Sequence, residues 1–255
     1  MNIYAMGFKL FLEQIEGKYK YFIEKIALAC KHRNGIMTSI GKVGQFDLHT
    51  VILNPHGKKT ACFIGGVHGN ETIGPHAILR FIEEGKIPKN VRVLLYPIAG
   101  PMGFENNTRT TSGLNLNRQF DKTKMEKEAK ILRDSLASEK IDFLHTFHED
   151  DTTKNNGFYL YASCDKIKCQ EILKIAKKFM KIDPRSIIFG DKPKPKGIII
   201  VPPDDEKPQN KKALDTWMYK RGIEYICTEI PSRLPMDTKT ACGVQIMEYI
   251  TKNLV

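Results

Sequence analysis

Seven short runs of apolar and β-branched residues punctuate the chain: HTVIL (49–53), TACFIGG (60–66), VRVLLYPI (91–98), DFLHTF (142–147), GFYLY (157–161), GIIIV (197–201) and EYICTEI (224–230). Several are apolar at consecutive positions, so as strands they present two faces for burial rather than one. Between them lie segments with apolar residues at helical spacing, 73–84, 124–139, 166–181, 209–221 and 240–253. A strand buried on both faces needs a layer on each side, and alternating helices supply it. The pattern predicts a three-layer α/β/α fold around a central mixed sheet, with ligands collecting at the strand ends.

At 255 residues the chain is at the long end of one domain, and no Ser- or Gly-rich linker or internal repeat divides it, so 1–255 reads as a single catalytic-size domain. The net charge of +11 invites a polyanion partner, yet the lysines run from Lys9 to Lys252 without a basic stripe interleaved with aromatics. A solvated lysine surface is expected, not a nucleic-acid site. The start, MNIYAMGFKLFLEQIEGKYKYF, lacks the pattern of a signal peptide, and no window approaches 18 consecutive apolar residues. A cytoplasmic protein with no membrane partner is expected. Six cysteines, at 30, 62, 164, 169, 227 and 242, form no C-x-x-C pair, and Cys30, Cys62 and Cys227 sit in apolar stretches. They read as buried free thiols.

The chemistry is concentrated where strands end. GGVHGNE (65–71) follows the apolar run TACFI and places His68 and Glu71 three residues apart in the loop that leaves the strand. Catalytic zinc takes three protein ligands and keeps one position open, and two histidines with a glutamate are one established set. A second histidine must then come from elsewhere, and DFLHTFHEDD (142–151) offers His145 and His148. In a strand, Leu144, Thr146 and His148 share one face while Phe143, His145 and Phe147 share the other. His148 lies at the strand end beside acids and is assigned as the ligand; His145, among phenylalanines, is left as a core or supporting histidine.

Further on, NTRTTSGLNLNRQF (107–120) carries Arg109, Asn117 and Arg118 in a Gly-containing loop, and YICTEIP (225–231) ends a strand with Glu229. Arginine pairs bidentately with carboxylates, and a carboxylate beside activated water is a general base. Each feature alone is common on protein surfaces. Together they supply the parts of metal-assisted amide hydrolysis.

With those residues in this order, His-x-x-Glu, Arg, Asn-Arg, His, Glu, the chain resembles the zinc carboxypeptidase (metallocarboxypeptidase) family, including its succinylglutamate desuccinylase and aspartoacylase relatives, from about residue 60 to 231. The resemblance implies a zinc carboxypeptidase-like fold and one zinc ion per chain on His68, Glu71 and His148. It implies Glu229 as general base and proton shuttle, Arg109 as the group that stabilises the oxyanion, and Asn117 with Arg118 as the clamp on a substrate carboxylate. The substrate would be a small peptide losing its C-terminal amino acid or, as the alternative, a small N-acyl amino acid. DTWMYKRGIEY (215–225) is similar to the segment before the catalytic glutamate in peptidase members, matching at Trp217, Tyr219, Gly222 and Ile223. Aligned on those four, Asp215 falls where peptidase members line the side-chain pocket, with one residue fewer before Glu229.

Two departures stand out. Asn115 occupies the position where many members have an Asp that orients a ligand histidine, and a neutral amide raises ligand basicity less. Peptidase members also usually carry a tyrosine on a mobile loop ahead of the Trp-containing segment, and VPPDDEKPQNKKA (201–213) has none.

Overall fold

The computed structural model describes residues 18–111, 113–150, 152, 157–163, 166–202, 205, 207 and 211–254. Eight strands form one sheet: β1 (Ile36–Val43), β2 (Phe46–Leu53), β3 (Lys59–Ile64), β4 (Val91–Tyr96), β5 (Phe143–Asp150), β6 (Tyr159–Ala162), β7 (Ile198–Ile200) and β8 (Tyr225–Pro231). Their spatial order is β1-β2-β4-β3-β5-β8-β6-β7. The central strands β4, β3, β5 and β8 are parallel neighbours, whereas β1–β2, β2–β4 and β8–β6 are antiparallel, so the sheet is mixed.

Helices cover both faces, as double-sided strands require. Against one face pack α1 (Lys18–His32), α2 (Ile73–Glu84), α5 (Lys166–Ala176) and α7 (Met236–Asn253). Helix α2 shows why: Ile73, Ala77, Ile78, Phe81 and Ile82 recur at helical spacing and are all buried, and the helix ends at Gly85, whose N–H returns to Phe81 O at 2.9 Å. Against the other face pack α4 (Lys127–Ser138) through Ala129, Leu132 and Leu136, and the short α6 (Leu214–Tyr219) through Leu214 and Met218. Helix α3 (Pro101–Asn106) completes the set, with Phe104 in the α1–α2 layer.

The three-layer α/β/α expectation holds. Within it, the helix expected over 209–221 is confined among the described residues to α6, and α1, α3 and β1 go beyond the sequence reading. Strand β1 is an edge strand in which only Val43 is buried and the apolar residues are interrupted by Thr38, Ser39, Gly41 and Lys42, so it lacks the continuous apolar signature of its neighbours. The cysteines at 30, 62, 169, 227 and 242 are buried free thiols; Cys164 lies outside the described residues. No helix among the described residues is long and apolar enough to cross a membrane.

Strand β5 alternates as expected. Phe143 and Phe147 enter the α1–α2 layer, while Leu144 enters the α4–α6 layer. His145 follows the phenylalanines: it is fully buried, its ring 5.9 Å from that of Phe63 and 4.2 Å from that of Phe147, and its Nε2 lies 3.0 Å from Thr228 Oγ1. Burial drives its pKa down to about 3, so it is a neutral core histidine.

Candidate active site

The site forms where β3, β5 and β8 end on the same side of the sheet. After Ile64, Gly65 and Gly66 turn the chain, Gly66 with a left-handed φ of 62° that favours glycine. Gly69 passes so close to the next loop that a Cβ there would lie 1.8 Å from the Gly103 carbonyl carbon. These glycines let the loop fold back over the strand ends, with Glu71 N bonded to His68 O at 3.1 Å, so both side chains point inward. On β5, His148 sits two positions after Thr146 on the same face. It pairs in register with Glu229 of β8, which in turn pairs with Tyr159 of β6.

His68, Glu71 and His148 converge as a buried trio whose ligand atoms lie within 4.8 Å of one another. Glu71 Oε1 is 2.8 Å from His68 Nδ1, and its Oε2 is 2.6 Å from His148 Nδ1. The Arg109 guanidinium rests on Oε1, and the Glu149 N–H donates to Oε2 at 3.3 Å. His68 Nε2 lies 3.0 Å from Asn115 Oδ1, and that oxygen also accepts from the Asn117 N–H at 2.9 Å, which fixes the amide orientation. Both ring nitrogens of His68 therefore face acceptor oxygens. A neutral imidazole can donate only once, and burial lowers the His68 pKa, favouring the neutral form despite Glu71. With Nε2–H given to Asn115, the Nδ1 lone pair points at a carboxylate. Such a pair is resolved by a cation between them, so the donor set fits a metal ion.

The second histidine behaves differently. Burial opposes its charged form, but the Glu71 carboxylate overrides this and raises the His148 pKa to about 9. Glu71 is held well below the usual carboxylate range: burial works against ionisation, and the two histidines outweigh it. Glu229 moves the other way, pushed up to about 8 by burial, with Glu71 and Asp150 adding to the rise against His148 and Arg109.

A cavity of about 280 Å³ opens beside the trio, lined by His68, His148 and Glu229 and extending to Asp215. All the sequence-predicted site residues line it except Glu71, which lies behind His68 and His148. Arg109 is half exposed at its edge, and Arg118 is partly buried with Nη1 donating to Asn117 O at 2.6 Å. Asn117 accepts the Leu214 N–H on its side-chain oxygen at 2.9 Å, tying the loop to the start of α6, while its Nδ2 lies 3.4 Å from His148 Nε2. Asp215 is buried at the cavity floor and accepts from Thr146 Oγ1 at 2.7 Å; burial raises its pKa. Its carboxylate and the Cys227 thiol both approach His148 within 4.8 Å. The sequence reading missed Tyr161, Phe189 and Cys227 as cavity residues. Cys227 was legible from strand alternation with Glu229, whereas nothing in the local sequence around Tyr161 or Phe189 marked them.

The family model of the succinylglutamate desuccinylase/aspartoacylase catalytic domain matches residues 57–183. No curated protein matches the chain by sequence. Among solved structures, a candidate metallopeptidase from Shewanella amazonensis superposes with a TM-score of 0.81 at 18% identity, covering 92% of each chain. A metallo-carboxypeptidase from Burkholderia cenocepacia gives 0.66 at 15% identity over 90% of this chain and 67% of the other. A succinylglutamate desuccinylase/aspartoacylase from Rhodobacter sphaeroides gives 0.56 at 17% identity over 83% and 60%. The fold is that of the zinc carboxypeptidases. The match to the succinylglutamate desuccinylase/aspartoacylase catalytic domain spans 127 of the 255 residues, and the likeness to the metallopeptidase and carboxypeptidase structures is one of fold.

Proposed function

We propose that the protein is a zinc-dependent hydrolase of an amide bond next to a free carboxylate, releasing a C-terminal amino acid from a small peptide. The observation that carries this reading is the convergence of His68 Nδ1, Glu71 and His148 Nδ1 beside Glu229, in a cavity that also holds Arg109, Asn117 and Arg118. A zinc ion held by His68, Glu71 and His148 would supply a Lewis acid that acidifies water and polarises a carbonyl.

The remaining steps belong to side chains of this protein. Glu229, with its carboxyl poised near neutrality, takes the proton from the attacking water and returns it to the leaving amine. Arg109 uses one N–H on Glu71 and has others to direct at the charge that develops on the carbonyl oxygen. Arg118 and the Asn117 amide hold the substrate carboxylate. With His148 Nδ1 turned toward Glu71 as a metal ligand would be, its Nε2 would carry the proton, leaving Asn117 Nδ2 to the substrate rather than to the ring. Asp215 on the cavity floor favours a terminal Lys or Arg side chain, whose cation would offset the cost of ionising a buried acid.

A second reading, deacylation of small N-acyl amino acids, draws on the desuccinylase/aspartoacylase family match and on a cavity at the small end of ligand pockets. Both use the same catalytic residues. Offering the zinc-loaded protein dipeptides, longer peptides and N-acetyl or N-succinyl amino acids separates them: a peptidase cleaves the first two, a deacylase only the last.

A further inference from the structure

Residues 188–191 form a two-residue hairpin. Ile188 N–H donates to Asp191 O and Asp191 N–H to Ile188 O, both at 2.9 Å, and the central residues Phe189 and Gly190 have φ of 47° and 86°. Positive φ at both centres marks a type I′ turn, whose preferred pair is Asn-Gly or Gly-Gly. Gly190 suits it. Phe189 does not, because a bulky side chain in the left-handed region is disfavoured. Nor is the residue buried in the core: Phe189 is 53% exposed.

The base of the hairpin is nonetheless firmly seated. Ile188 is fully buried in the α4–α6 layer, and Asp191 is buried and paired with Lys207. A fixed base with a disfavoured, half-exposed aromatic at the tip presents that ring to the catalytic cavity, which Phe189 lines together with Tyr161. Exposure sets the order along the cavity: Phe189 lies at the mouth, and Asp215, 5% exposed, at the floor. A side chain entering toward Asp215 can lay its methylenes along the ring.

We infer that Phe189 is a specificity-determining residue, its ring packing on the aliphatic stem of the substrate side chain that enters the cavity. The inference rests on the hydrolase reading for the identity of the substrate, but not for the contact.

The test uses Phe189→Asn, which installs the favoured Asn-Gly turn, and Phe189→Tyr, which keeps the ring. Dipeptides ending in Lys, norleucine and Ala report on stem length. Phe189→Asn is expected to keep or raise Tm. It should lower kcat/KM about tenfold for Lys and norleucine, through KM, and less than twofold for Ala, while Phe189→Tyr stays near wild type. Equal changes for all three peptides, or none, would overturn the inference. Calorimetric binding of free lysine, norleucine and alanine to the zinc-loaded wild type and Phe189→Asn separates this from failure of the hydrolase reading. Weaker binding of the long-stem amino acids alone upholds the contact even where no peptide is cleaved. Binding that is unchanged by the substitution, or absent in the wild type, counts against it.

Discussion

His148 and Glu229 stand opposite one another in the parallel pairing of β5 with β8, so a candidate metal ligand and a candidate general base are held side by side by backbone register. The rigidity of that arrangement comes from the sheet, while Glu71 reaches the same point from the loop after β3. Two consequences are electrostatic. The charge of His148 restrains the ionisation of neither carboxylate, yet burial leaves Glu229 about neutral at moderate pH while Glu71 is fully ionised.

The first prediction concerns pH. In the metal-free protein the His148 pKa is raised to about 9, so its stabilising contribution is complete below the unfolded value of roughly 6.5 and is lost as pH rises through 9. Glu229, raised to about 8, acts in the same direction, its contribution being complete below the unfolded value of roughly 4.3 and lost as pH rises through 8. Thermal melts of metal-stripped protein should show Tm falling between pH 6.5 and 9. Zinc affinity should rise across that window, since binding requires a neutral imidazole. A metal-free Tm that is flat or rising over this range would contradict the charge assignment.

Asn115 offers a second test. Its Oδ1 orients His68 through Nε2. Asn115→Ala should weaken zinc binding about tenfold to a hundredfold, the usual effect of losing such a partner. Asn115→Asp should strengthen it by increasing ligand basicity. Competition with a chelating dye measures both, and an unchanged affinity in the Ala variant would remove Asn115 from the site.

Asp215 should set side-chain preference. A Lys or Arg side chain reaching its carboxylate gains a charge-assisted hydrogen bond worth roughly 1.5 to 3 kcal/mol, or about tenfold to a hundredfold in kcat/KM. Dipeptides ending in Lys, Leu and Glu, compared in wild type and Asp215→Asn, report it. A preference for Lys that survives the substitution would leave Asp215 as only the partner of Thr146.

A fourth prediction is structural. Lys239 on α7 is buried, its Nζ 3.0 Å from both Glu149 Oε1 and Ser232 O, and Glu149 also accepts from the Ile73 N–H at the start of α2. This pair ties β5, immediately after His148, to two helices. Lys239→Met should destabilise the protein by about 3 to 5 kcal/mol, because it leaves a buried carboxylate unpaired. Urea denaturation measures it; a loss under about 1 kcal/mol, the scale of a surface pair, would show the pair to be dispensable.

Much of this was legible in the chain because it depended on local order. The double-sided strands announced the covered sheet, and strand alternation separated His148 from His145. The glycines of GGVHGNE marked the strand end. What could not be read was set by long-range packing. Whether Asp215 is buried depends on Thr146, 69 positions earlier, and nothing in the sequence near either residue announces that bond. Phe189 reaches the cavity because the 188–191 hairpin is anchored by Ile188 and Lys207, and an isolated Phe-Gly gives no such signal. Strand β1 escaped notice because an edge strand can satisfy its pairing while keeping a polar, exposed side.

The central claim is that Glu229 works as the base of a zinc-dependent hydrolase, and one comparison tests it most directly. Zinc-loaded wild type and Glu229→Gln are offered the same peptides and N-acyl amino acids, with bound zinc measured by elemental analysis and released amino acid by mass spectrometry. The account predicts equal zinc in both proteins, release of a free amino acid by the wild type, and loss of most turnover in the variant. Turnover within about tenfold of wild type, less than about 1.4 kcal/mol of transition-state stabilisation, would contradict it.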